Sequence, residues 1–169
     1  MNGENTLKIR YLLACMMAAL LSYGSPANAA SPPDFTVDLP AGMACTFDLK
    51  IEGWGGNRHF KEFTGENDQV VRSLEAGTGS ALRFTNVETG KTFSTKSNGA
   101  VSHITYNPDG SETDKLTGHN VLILFPSDFP PGPSTTLIAG RLVFTVDTEG
   151  VFTVQDVSGK TTDICAALQ

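Results

Sequence analysis

Turn chemistry recurs along this chain at intervals too short to leave room for helices. Glu88-Thr89-Gly90-Lys91, Asn107-Pro108-Asp109-Gly110 and Asp147-Thr148-Glu149-Gly150 each put Gly at the left-handed corner of a reversal. Asn98-Gly99 suits a primed two-residue turn, and Gly53-Trp54-Gly55-Gly56-Asn57 reads as a further tight reversal because glycine reaches positive φ without steric cost. No helix of even three turns is visible between Ser31 and Thr161. The expectation is an all-β chain of about nine or ten short strands. Connections this short favour pairing of sequential neighbours, so the preferred architecture is a twisted antiparallel meander curling into a small barrel. A two-sheet β-sandwich is the alternative.

The side-chain pattern between the turns supports strands. From Ala44 to Glu52, Cys45, Phe47, Leu49 and Ile51 share one face, while Thr46, Asp48, Lys50 and Glu52 share the other. That period predicts a half-buried strand with Cys45 on the core side and Glu52 in solvent. Asn120 to Phe125 is different: five large apolar residues in succession, closed by Pro126. Such a run fits a strand covered on both faces, with the adjoining proline loop or the acidic meander covering the second. Ser111 to Leu116, nearly all polar, reads as a separate edge arm.

The first residues look like an address. Lys8 and Arg10 precede an apolar stretch, Tyr11 to Leu21, and Ala27-Asn28-Ala29 offers a small-x-small cleavage pattern. We read residues 1–29 as a signal peptide, 30–43 as an extended lead-in and 44–169 as a single β domain. The competing lipoprotein reading, on Leu12-Leu13-Ala14-Cys15, puts most of the apolar stretch on the wrong side of the cysteine. The stretch is shorter than the roughly 20 residues that span a bilayer, and no later segment approaches that length. A secreted, soluble protein is expected, with no transmembrane segment once the leader is removed.

Two cysteines remain beyond the leader, Cys45 and Cys165, near opposite ends of the domain. In an oxidising compartment a disulfide between them is the expectation, and two buried thiols the alternative.

Charge excludes one class of partner. The chain carries 12 Lys and Arg against 18 Asp and Glu, a formal charge of −6, and loss of residues 1–29 removes Lys8, Arg10 and Glu4. No run of basic residues offsets this, so nucleic acid is not expected as a partner.

The chain shows no assembled catalytic set and no expected cofactor. His59, His103 and His119 lack ligand spacing, so no metal site is expected. Gly77-Thr78-Gly79-Ser80-Ala81 lacks the spacing of a nucleophile elbow. Two aromatic residues in loops stand out as ligand-binding candidates. Trp54 is the only tryptophan and sits among glycines, either as a stacking platform or as a plug over the end of the fold. Phe129 is presented by a proline-rich loop, Pro126 to Pro133, whose fixed φ angles lower the entropic cost of contact.

Thr117 to Pro126, Ser158 to Cys165 and the Asn107-Pro108-Asp109-Gly110 turn together resemble a group of small secreted actinobacterial proteins of unknown function. The resemblance implies secretion and supplies no catalytic or binding residue. The leading functional expectation is a secreted, non-enzymatic binding module, holding a small apolar ligand inside or engaging an extracellular protein or glycan through its loops. A small extracellular hydrolase and a structural envelope or spore-coat component are the alternatives.

Overall fold

A computed structural model of the chain describes residues 31–169; the segment read as a signal peptide lies outside them. Ten strands are present: β1 (Phe35–Leu39), β2 (Leu49–Trp54), β3 (Asn57–Thr64), β4 (Val70–Thr78), β5 (Ala81–Asn86), β6 (Thr92–Thr95), β7 (Gly99–Tyr106), β8 (Glu112–Leu124), β9 (Ser134–Val146) and β10 (Phe152–Asp163). A single helical turn follows, α1 (Ile164–Ala167), capped by Asp163, whose Oδ1 accepts the Ala166 N–H at 2.9 Å. The strands form a four-stranded sheet, β1-β2-β5-β6, and a six-stranded sheet, β10-β9-β8-β7-β4-β3, antiparallel throughout. The all-β meander and its strand number are as expected. The barrel does not close: β1 and β6 are edges of one sheet, β3 and β10 of the other, so the two-sheet alternative describes the fold.

The reason lies in the glycine pairs read as reversals. Trp54 lies opposite Ala81 in the small sheet and Asn57 opposite Thr78 in the large one, three residues on along one arm and three back along the other. One register therefore runs through both sheets, and β2 and β3 are a single long arm bent at Gly55-Gly56. The same holds for β4 and β5, bent at Gly79-Ser80, and for β6 and β7, since Leu82 faces Thr95 and Thr78 faces Gly99. Gly55 and Gly56 do have positive φ, +66° and +105°. That freedom bends the arm without reversing it, because Ser80 Oγ donates to the Gly55 carbonyl at 2.8 Å and keeps the neighbouring arm alongside.

The bend continues across the large sheet as a line of glycines. In lateral register Gly77 faces Ala100, Ala100 faces Gly118, Gly118 faces Gly140 and Gly140 faces Gly159. A Cβ at Gly140 would stand 2.0 Å from the Ser158 carbonyl oxygen, and one at Gly118 2.3 Å from that of Gly99. Only glycine lets the backbones approach so closely.

Along this crease the large sheet folds back on itself. Leu124 is opposite Ser134 at one end of β9 and Phe152 opposite Val146 at the other. Yet the N–H groups of Phe125 and Phe152 both donate to the buried Asp128 carboxylate, at 2.6 and 3.0 Å. Between the two limbs lies one core, where Leu122, Leu124 and Ile138 meet Leu142 and Phe144, with Leu116, Phe152 and Val154 around them. The other face of the first limb, through Val121, Ile123 and Leu137, packs on the small sheet and its Leu49, Ile51 and Phe84.

The apolar run of β8 is therefore covered on both faces, as its sequence requires. It is not a separate strand from the polar arm before it: Glu112–Leu124 is continuous through Gly118. Full burial of each Leu in the run contributes about 1.5–3 kcal/mol.

Two further details differ from the sequence reading. Residues 44–48 are bent, irregular backbone rather than the start of a strand, although Cys45 and Phe47 are buried as their period predicts. Glu52 is 8% exposed, not solvated, because its register partner Arg83 lies over it with Nη2 at 2.8 Å from Oε2. That guanidinium, with Lys50 behind it, holds the Glu52 carboxyl below its ordinary range. Cys45 and Cys165 are joined as a disulfide, Cα–Cα 5.6 Å, which ties the bent segment to α1.

Candidate functional site

The sheets part at the crease and leave a cleft. β7 runs beside β8 as far as the pairing of Ala100 with Gly118, but beyond it β6 pairs with β5 alone while β8 continues into the other limb. The gap has a volume of about 580 Å³ and opens to solvent. Leu82 from β5, Ala100 from β7, and Val121 and Leu137 from the folded-back limb form its apolar walls. Arg58, Lys96, His119 and Asn120 supply polar groups, and none of the described residues lining it is acidic.

Three arms set these polar groups. Arg58, just past the bend in β3, donates from Nη2 to Ser102 Oγ at 3.2 Å and pairs through Nε with Glu75 at 3.0 Å, which fixes its guanidinium at the cleft wall. Lys96 belongs to the bend between β6 and β7, and His119 and Asn120 follow Gly118, where positive φ (+94°) redirects β8. Asn120 carries the one anomaly. Among the described residues its Nδ2 is the buried side-chain nitrogen or oxygen with no hydrogen-bond partner. A buried donor left unpaired costs about 1–3 kcal/mol. Sequence inspection missed this group because its members come from residues 58, 96 and 119–120, which only the folded meander brings together; no local motif signals them.

Among the described residues no histidine lies within 4 Å of a carboxylate, and no three His, Cys, Asp or Glu side chains gather as a metal site. The acid with the largest shift, Asp114, lies outside the cleft lining; burial, reinforced by the Glu112 charge, pushes its carboxyl up to about 6.

The two aromatic candidates lie apart, one at the end of a strand of the small sheet and one in the loop beside the large sheet. Trp54 ends β2, half-buried, with the Arg83 guanidinium 5.0 Å from its ring centre. Phe129 projects from the proline loop, 63% exposed, while its backbone is pinned to the free edge of β10: its N–H donates to Phe152 O and its carbonyl accepts from Val154 N–H, both at 2.7 Å. Neither lines the cleft. No known protein family, curated protein or solved structure matches the chain. Among the described residues no helix is long and apolar enough to cross a membrane.

Proposed function

We propose that this protein is a secreted, non-enzymatic binding module that takes a small, largely apolar ligand with a polar or acidic head into the cleft at the crease. The observation that carries this reading is the cleft itself. Its volume of about 580 Å³ lies within the roughly 300–1,000 Å³ of ligand pockets, and it combines apolar walls with a few convergent polar groups. An acidic head suits a rim holding Arg58, Lys96 and His119, and an acceptor reaching Asn120 would offset the cost of its unpaired amide. Secretion is supported by the leader pattern of residues 1–29 and by the Cys45–Cys165 bridge.

The test is a thermal-shift and native mass-spectrometric screen with long-chain fatty acids, their methyl esters and neutral glycans, on the chain beginning at Ala30 and on its Ser94→Trp variant. Ser94 is exposed at the cleft lining, so a ring there obstructs entry without disturbing the core. Fatty acids should bind, their esters should bind more weakly, and Ser94→Trp should lose both while melting normally. Absence of any binder, or binding unaffected by Ser94→Trp, would sink the proposal.

A further inference from the structure

The outer face of the large sheet, turned away from both cores, carries cations that lie far apart in sequence. In one lateral register Lys61, Leu74, His103, Lys115, Val143 and Asp156 stand side by side across six strands. The register nearer the crease contributes His59 and Arg141. The next one outward reads Phe63, Arg72, Thr105, Thr113, Thr145 and Thr153, and the isolated bridge between Thr153 and Phe129 extends it onto the proline loop.

Four cations and two histidines thus share a face whose single carboxylate, Asp156, is taken by Arg141 at 2.9 Å. Lys61, Arg72 and Lys115 are exposed and have no carboxylate within 4 Å among the described residues. On a chain of net charge −6 this is a local reversal of sign.

The neighbouring row is built for a chain of hydroxylated units. Phe63 at one end lies under Arg72 and Lys61, 4.3 and 5.0 Å from its ring centre. Phe129, 63% exposed, stands at the other end. Between them four threonine hydroxyls recur at the strand spacing of about 4.8 Å. Thr113 and Thr145 accept from Asn107 Nδ2 and Gln155 Nε2, so their own O–H groups remain to donate outward.

We infer that this face binds a linear acidic polysaccharide lying across the strands, with its carboxylates on Lys61, Arg72 and Lys115, its hydroxyls on the threonine row and a sugar face on Phe129, while Phe63 holds Arg72 and Lys61 in place. Lys61 and Lys115 are three strand steps apart, about 14 Å. That spacing suits acid groups carried on sugar units. The site is separate from the cleft and does not depend on it.

The experiment is affinity electrophoresis of the Ala30–Gln169 protein through gels holding polygalacturonate, dextran or single-stranded DNA, at low and high salt. Polygalacturonate should retard the protein at low salt and release it at high salt, and dextran should not retard it. Lys61→Ala, Arg72→Ala and Lys115→Ala combined should weaken retardation at least about tenfold. Phe129→Ala, whose backbone anchors persist, should weaken it with the salt dependence unchanged. Ser94→Trp should leave it intact, which separates this face from the cleft. Equal retardation by dextran, stronger retardation by DNA, or an unaffected triple variant of native melting temperature would each overturn the inference.

Discussion

The carboxylate of Asp128 accepts the backbone N–H of Phe152 at 3.0 Å, across 24 residues and from the opposite end of the folded sheet. With its second oxygen on Phe125 N–H at 2.6 Å, it is the clasp that holds the two limbs together at their open ends. Replacing it with Ala leaves two N–H groups at the clasp without acceptors. Hydrogen bonds to a charged group contribute about 1.5–3 kcal/mol each, so Asp128→Ala, which loses two, should cost about 3 kcal/mol or more in urea denaturation, and Asp128→Asn less. A variant as stable as the native protein would show that the clasp carries no energy.

Asp114 makes the opposite contribution. Its carboxyl is pushed up to about 6, above the ordinary value of 3.8, so the fold binds its proton more readily than the unfolded chain does. The associated stability is complete below about pH 4 and is lost as pH rises through 6. Discounted for solvent screening, this corresponds to roughly 1–2 kcal/mol. Asp114→Asn should therefore stabilise the protein at pH 7 and match it at pH 4, as read from denaturation curves across that interval. Parallel pH profiles for the two proteins would refute it.

The crease has its own test. Gly140→Ala forces a methyl group against the Ser158 carbonyl, 2.0 Å away, whereas Gly150, at φ +81°, has nothing within 4 Å. Overpacking against backbone should cost Gly140→Ala about 3 kcal/mol or more. Gly150→Ala should cost about 1–2 kcal/mol from its left-handed conformation alone. Similar losses in both would mean that close approach at the crease is not what demands glycine.

The Cys45–Cys165 bridge closes a loop with a sequence separation of 120. Loop entropy assigns it about 4–5 kcal/mol. Ala substitution at both cysteines should lower the urea midpoint accordingly, and thiol titration of the chain lacking residues 1–29 should find no free thiol before reduction. Two titratable thiols in the denatured, unreduced protein would remove the bridge from the account.

Much of this architecture was legible residue by residue. Asn107-Pro108-Asp109-Gly110 and its relatives announced hairpins because Pro and Gly fix local dihedrals, and the alternation of Cys45, Phe47, Leu49 and Ile51 announced a core face. Gly55-Gly56 was misread because positive φ is equally compatible with a reversal and with a bend; the partner across the ladder decides, and it is remote in sequence. Glu52 was misplaced for the same reason, since Arg83 is its neighbour only through register. The cleft and the basic face stayed invisible because each draws single residues from several arms. A charge count along the chain averages away a local reversal of sign.

One consequence of the glycine line concerns length rather than composition. Gly77, Gly118, Gly140 and Gly159 mark a single fold only while each arm presents its glycine at the same step of the ladder. Lengthening an arm by one residue slides its glycine off the line and exchanges its two faces at once. The hairpin tips at Gly90, Gly110 and Gly150 lie outside that bookkeeping. A short insert after Gly110 should leave an intact, folded protein, while the same insert after His119 should abolish folding, so this chain can grow at its turns and is fixed in measure along its arms.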